Sequence, residues 1–167
     1  MAKITLRGKP LHTNGELPQV GTPAPDFTGV KADLSDVRLS DFKGKKVVLN
    51  IFPSLDTAVC AAGVRRFNKE VSGLDNTVVL CISKDLPFAQ TRFCTTEGLT
   101  NVIPLSQFRC DCFEKNYGIL ITDGPMRGLL ARAVVVVDEK GETVYTQLVD
   151  EITNEPDYGK AISAVKE

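Results

Sequence analysis

The chain has 167 residues, 43% of them apolar, with 20 Lys and Arg against 21 Asp and Glu for a formal net charge of −1. That length predicts one domain across residues 1–167, a single sheet covered by helices, and the near-neutral balance supplies no basic field for nucleic acid. No apolar stretch reaches the ~18–20 residues of a membrane span, and Met1–Gly15 lacks a signal-peptide core, so a cytoplasmic protein with no membrane partner is expected.

Lys3–Thr13, with Gly8 at its centre, predicts an N-terminal β-hairpin carrying the only histidine, His12, as a surface strand residue. Gly21–Phe27 contains Pro23 and Pro25 and reads as extended. Lys43-Gly44-Lys45-Lys46 is a solvated turn before the apolar, β-branched run Val47–Phe52, which predicts a buried strand. Pro53 ends that ladder, and Asp56 or Thr57 can cap a helix whose stripe is Cys60, Val64, Phe67 and Val71. A second strand is expected at Thr77–Ser83. Asp85 then caps a helix with Pro87 in its first turn and Gly98 just past its end. A short strand at Asn101–Leu105 leads into a helix over Ser106–Tyr117. Ala131–Val149 folds back at Asp138-Glu139-Lys140-Gly141, and Glu155–Lys166 closes the chain as an amphipathic helix. This alternation predicts an α/β fold.

Cys60 falls in the first turn of a helix directly after a central strand. Unpaired amide N–H groups and the helix dipole favour an anionic sulfur there. Five cysteines in a chain without an export signal argue for reduced thiols, and the lack of a C-x2-C pair, with His12 far away in the N-terminal segment, speaks against a zinc site. A single histidine also argues against a Cys–His or Ser–His–Asp hydrolase, unless His12 itself were the base. Cys81, inside Val79–Ile82, reads as core. Cys94 taken alone is either a small buried apolar residue or a working thiol. Cys110 and Cys112, two apart on the expected third helix, would point in divergent directions, Cys112 inward and Cys110 partly outward; a disulfide between them is the minor reading. Arg132, between Ala131 and Ala133 at the mouth of Val134–Val137, is an exposed strand-end arginine or a paired one.

Pro53-x-x-x-Thr57-x-x-Cys60 after a strand resembles the peroxidatic-cysteine signature of the peroxiredoxins. The runs Val48–Cys60, Asn76–Ser83, Asp85–Cys94, Arg132–Asp138 and Gln147–Thr153 resemble the bacterial thiol peroxidases, the atypical two-cysteine class, in that family's order over nearly the whole chain. The resemblance implies a thioredoxin-like fold, a central mixed sheet flanked by helices, with an N-terminal β-hairpin. It implies a thiol-dependent peroxidase acting on hydrogen peroxide and alkyl hydroperoxides. Cys60 would be the peroxidatic and Cys94 the resolving cysteine, joined in an intramolecular redox disulfide that thioredoxin reduces. Arg132, the Thr57 hydroxyl and the N–H groups of Val59 and Cys60 would hold the peroxide oxygens. Pro53 would shape and shield the loop, and Leu55, with Phe27, Phe52 and Phe93, would form an apolar surround. A homodimer is implied, and no metal or other cofactor, because sulfur carries the redox change.

Bridged Cα atoms must lie within about 7 Å, so the first turn of the Cys60 helix and part of the Cys94 helix are expected to open in each cycle, with Gly63 easing the first. Two rival readings share the fold: a thiol–disulfide exchange module, which would normally have C-x-x-C where Cys60-Ala61-Ala62-Gly63 stands, and a non-enzymatic redox sensor.

Overall fold

A computed structural model describes residues 1–167. The chain runs β1 (Lys3–Leu6), β2 (Lys9–His12), β3 (Thr28–Val30), β4 (Asp36–Arg38), a 3-10 turn at Leu39–Phe42, β5 (Lys46–Ile51), α1 (Ala58–Glu70) and β6 (Thr77–Ser83). It continues through α2 (Pro87–Glu97), β7 (Ile103–Ser106), α3 (Cys112–Tyr117), β8 (Ala133–Val137), β9 (Thr143–Leu148) and α4 (Tyr158–Lys166). Seven strands form one mixed sheet in the order β4-β3-β7-β6-β5-β8-β9, while β1 and β2 form a separate hairpin. The β7-β6-β5 run is parallel, and β8 returns antiparallel to β5.

β5 is central because its side chains are apolar on both faces, as a strand covered on both sides requires. Alternate residues divide between two layers. Val48, Val134 and Val136 face Val64 and Phe67 of α1 and Tyr158, Ile162 and Val165 of α4, and Cys60 belongs to this layer. Val47, Leu49, Ile51 and Val135 face Phe113 and Tyr117 of α3 on the other side. Phe27 packs there too, its ring 4.6 Å from that of Phe113 and 5.7 Å from that of Tyr117. It therefore lies across the sheet from Cys60 and forms no part of that thiol's surround. No helix is long and apolar enough to cross a membrane.

Several element ends depart from the sequence reading. β3, β4 and the 3-10 turn are too short for any periodicity to announce them. The third helix begins at Cys112 rather than Ser106, because β7 pairs through Ser106 with Ser83 and Val30. The last helix begins at Tyr158, where the Asp157 carboxylate accepts from the Lys160 N–H at 3.0 Å after Pro156. Leu86, not Asp85, is the N-cap of α2, which places the Asp85 carboxylate outside the helix.

The β1–β2 hairpin braces the sheet's end. Ile4 and Leu11 pack with Ile121, Ala131 and Ile152. The Thr5 N–H donates to the Asp150 carbonyl at 2.7 Å, and the Ile152 N–H to the Thr5 carbonyl at 2.9 Å. Glu151 ties the two together: its carboxylate accepts from the Thr5 hydroxyl and the Gly8 N–H, each at 2.9 Å, and from the Thr153 N–H at 3.0 Å. These donors, the Thr153 and Gly8 amides foremost, hold the carboxyl down at about 2 against an ordinary 4.5. Its contribution is therefore complete above about pH 4.5 and disappears as pH falls towards 2. Replacing Glu151 with Gln is expected to flatten the pH dependence of thermal unfolding across that window; a profile identical to that of the parent protein would show that the hairpin does not rely on this carboxylate.

Candidate active site

Cys60 is the third residue of α1 and is 1% exposed. Of the two caps the sequence allows, Thr57 serves. Its Oγ accepts from the Cys60 N–H at 3.4 Å and donates to the Ser54 carbonyl at 3.1 Å. The hydroxyl expected to face the substrate is thus committed here to starting the helix. The N–H of Val59, second in the helix, has no intrahelical acceptor. Pro53 is buried and Leu55 is 6% exposed, so the loop covers the thiol.

Arg132 reaches Cys60 across 72 residues of sequence through the sheet. The antiparallel register pairs Ile51 with Ala133, so the residue before Ala133 arrives beside the end of β5, where α1 begins. Arg132 Nη1 lies 3.2 Å from Cys60 Sγ, and its Nε donates to the Ile152 carbonyl at 2.9 Å. The side chain belongs to a residue only 5% exposed, which removes the reading of an exposed strand-end arginine. It makes no ion pair with any carboxylate. A buried guanidinium without a carboxylate costs several kcal/mol unless some other electron-rich group lies beside it, and the only such groups bonded to it are a carbonyl and the Cys60 sulfur.

Asp85, which the sequence reading used as a helix cap, ties the loop before Cys60 to the loop before Cys94. One carboxylate oxygen accepts from the Ser54 hydroxyl at 2.8 Å; the other accepts from the Leu55 N–H at 2.8 Å and the Ser83 hydroxyl at 2.7 Å. The Ser106 hydroxyl donates to the Asp85 carbonyl at 2.5 Å. Nothing in the local pattern distinguishes this role from capping, since both need a short acceptor after a strand.

Cys94 is half-buried on α2, and burial pushes its thiol above the ordinary thiol range. Cys60, Cys81 and Cys94 all carry free thiols. Cys81 is wholly enclosed; burial pushes its thiol up to about 12, although the Asn50 amide approaches the sulfur at 3.8 Å. Such a thiol is inert at neutral pH. α2 is lightly held: only Pro87 and Gln90 are buried, the Gln90 amide donating to the Ser83 hydroxyl at 3.2 Å and the Leu105 carbonyl at 3.1 Å. Its far end meets α1 through the Arg65–Glu97 pair at 3.1 Å, with the Arg65 guanidinium 6.0 Å from the centre of the Phe93 ring. Phe52 and Leu55 share the Cys60 layer, and Phe93 packs against it.

Gly63 has a packing reason besides helix opening: a Cβ there would sit 3.1 Å from the Tyr158 hydroxyl. Tyr158, which periodicity marked only as part of an amphipathic helix, is pushed up to about 12 by burial and by Glu155, with Arg132 pulling the other way. His12 pairs instead with Asp123 at 2.7 Å. A cleft of about 300 Å³ between Leu39, Phe42, Lys43, Lys45, Val47 and Val137 opens at the opposite end of β5 from Cys60 and shares no residue with the site.

Cys110 and Cys112 are joined by a disulfide, with their Cα atoms 5.5 Å apart. The expected divergence on a helix does not apply, because Cys110 lies in the loop before α3 and only Cys112 is helical.

A profile of the Redoxin family matches residues 19–162. The thiol peroxidase of Corynebacterium glutamicum is 55% identical over 165 residues, 99% of this chain and 99% of that one, and the thiol peroxidase of Mycobacterium tuberculosis has the same identity and coverage. Among solved structures, a peroxiredoxin-like protein from Aquifex aeolicus superposes with a TM-score of 0.94 at 39% identity, over 99% of this chain and 96% of that one. A thiol peroxidase from Chromobacterium violaceum shares the fold, with a TM-score of 0.90 at 22% identity over 99% and 96% of the two chains.

Replacing Asp85 with Ala leaves two hydroxyls and one amide without their shared acceptor, at a cost of about 1–3 kcal/mol. Chemical denaturation is expected to register that loss, whereas unchanged stability would mean that water substitutes fully for the carboxylate.

Proposed function

The chain belongs to the Redoxin family and acts as a thiol peroxidase, and from that premise we propose that Cys60 attacks the peroxide and Cys94 resolves the product within one domain spanning residues 1–167. The observation that carries the assignment is the contact between the buried Arg132 guanidinium and the Cys60 sulfur at 3.2 Å. The Cys60 thiolate attacks one oxygen of a hydroperoxide. The O–O bond breaks, the leaving oxygen takes a proton and departs as water or an alcohol, and Cys60 becomes a sulfenic acid. Arg132 and the Val59 N–H stabilise the charge that grows on the leaving oxygen, and the Cys60 N–H, bonded to the Thr57 hydroxyl before substrate arrives, turns to it as the peroxide enters. Thr57 starts the helix that aims those amides. Pro53 and Leu55 close the loop over the thiol, and Phe52 and Phe93 supply an apolar surround suited to alkyl hydroperoxides as well as hydrogen peroxide.

The Cys94 thiol then attacks the Cys60 sulfenic acid, expelling water and forming the intramolecular disulfide. Approach requires α2 and the first turn of α1 to open, and the sparse burial of α2 makes that inexpensive. Opening also hydrates Cys94, relieving the burial that disfavours its thiolate. Thioredoxin returns two electrons and two protons by thiol–disulfide exchange. A cytoplasmic homodimer is the working form, and sulfur performs the redox change without a metal or other cofactor.

One equivalent of cumene hydroperoxide is expected to link Cys60 to Cys94 in reduced protein, read by peptide mass spectrometry. Replacing Cys94 with Ser should leave a trappable sulfenic acid at Cys60, and replacing Cys60 with Ser should abolish turnover. If Cys60 stays reduced while another thiol reacts, the assignment fails; a linkage that forms but is not turned over by thioredoxin would mark a sensor instead. Replacing Arg132 with Gln is expected to lower kcat/KM for peroxide by about 10²–10³. A change below about tenfold would separate this guanidinium from the leaving oxygen.

A further inference from the structure

We propose that Cys110 and Cys112 form a second redox site, a dithiol–disulfide pair that exchanges electrons with external thiols independently of Cys60 and Cys94. The two sulfurs are bonded, and both residues are half-buried rather than enclosed. The site lies across the sheet from Cys60: Cys112 packs against the layer containing Phe113, Tyr117 and Ile51, whereas Cys60 belongs to the α1–α4 layer. The two thiol systems are therefore separated by the strands themselves.

The bond has little to do as a staple. It closes a loop with one intervening residue, Asp111, and the chain entropy removed by a cross-link shrinks as its loop shortens. The segment is anchored without it. The Arg109 guanidinium donates to the Asp36 carboxylate at 2.7 Å and to the Leu34 carbonyl at 3.2 Å, and Gln107 donates to the Thr28 carbonyl at 2.9 Å. Lys84 pairs with Glu114 just beyond it. Opening the disulfide leaves this frame in place, which suits a bond that is made and broken.

The geometry assigns an order to the exchange. Cys112 is the inward sulfur, 4.0 Å from the Thr28 carbonyl, so an incoming thiolate meets Cys110 first. Attack there forms a mixed disulfide at Cys110 and breaks the Cys110–Cys112 bond, and Cys112 leaves as a thiolate that takes a proton. The second thiolate of a dithiol reductant then attacks its own sulfur in the mixed disulfide, and Cys110 departs. The Cys112 N–H, donating to Cys110 Sγ at 3.3 Å, supports the anion that forms in this step. Two electrons and two protons pass from the dithiol, which becomes a disulfide. A low-molecular-weight disulfide reverses the exchange.

The test uses the full chain with Cys60 and Cys94 both replaced by Ser, equilibrated in graded mixtures of reduced and oxidised dithiothreitol under native conditions. Thiols are then alkylated, and the tryptic peptide spanning residues 110–115, bounded by Arg109 and Lys115, is weighed. Cys110 and Cys112 are expected to gain label together, along a two-electron curve, while circular dichroism shows the fold intact and Cys81 stays unlabelled. The proposal is overturned if the peptide carries two free thiols even in the most oxidising mixture, or if the bond yields only after the protein is denatured. In the otherwise unaltered chain, replacing Cys110 with Ser should delete this couple and leave peroxide turnover within about twofold. A turnover loss beyond tenfold would place the pair inside the peroxidase cycle and end its independence. A Cys60–Cys94 cycle and a silent Cys110–Cys112 pair are separately readable in the same peptide maps.

Discussion

A buried guanidinium with no carboxylate beside it organises one end of this molecule. Arg132 is held by the Ile152 carbonyl on one side and the Cys60 sulfur on the other. Taking a cation out of water costs several kcal/mol, and the fold meets that cost by fixing three separate segments around it. The β5–β8 register brings Arg132 to the right depth, the cap on α1 brings Cys60, and the β1–β2 hairpin clamps the turn after β9 that carries Ile152. The hairpin, far from the thiol in sequence and attached through Thr5 and Glu151, is thereby part of the support of the site.

The two helices that carry Cys60 and Cys94 are built to opposite standards. α1 sinks Val64 and Phe67 completely into the core, so its body is a fixed platform. α2 buries Pro87 and Gln90 and little else. Local stability follows buried contact, so the structure concentrates its capacity to open where Cys94 sits. Asp85 joins the two regions: one carboxylate holds the loop before Cys60 and the strand end before α2. This division of packing places Cys60 on the fixed helix and Cys94 on the lightly held one.

Much of the frame was legible along the chain. The apolar runs at β5, β6 and β8 are long enough for composition to mark them, and Thr77–Ser83 matches the strand residue for residue. Pro53, Thr57 and Cys60 mark a strand end, a cap and a first turn by local chemistry alone. The failures are equally physical. A three-residue strand has no period to read, Ser106 was drawn into a helix because nothing local told of its pairing with Ser83, and an acidic residue after a strand looks the same whether it caps a helix or bridges two loops. The Cys110–Cys112 bond stayed the minor reading for the same reason, since a helix over Ser106–Tyr117 would splay the two sulfurs apart.

By itself the sequence determined that a cysteine stands at the start of a helix behind a central strand, because strand, breaker, cap and stripe are all local and each depends on residues within a turn or two. Tertiary structure alone decided how Arg132, which only the family resemblance had named, reaches that thiol, which carboxylate ties its loop and on which side of the sheet the second sulfur pair lies. Those outcomes depend on strand order and register, and register joins residues far apart in the chain, such as Ile51 and Ala133, through backbone hydrogen bonds that carry no mark of side-chain identity.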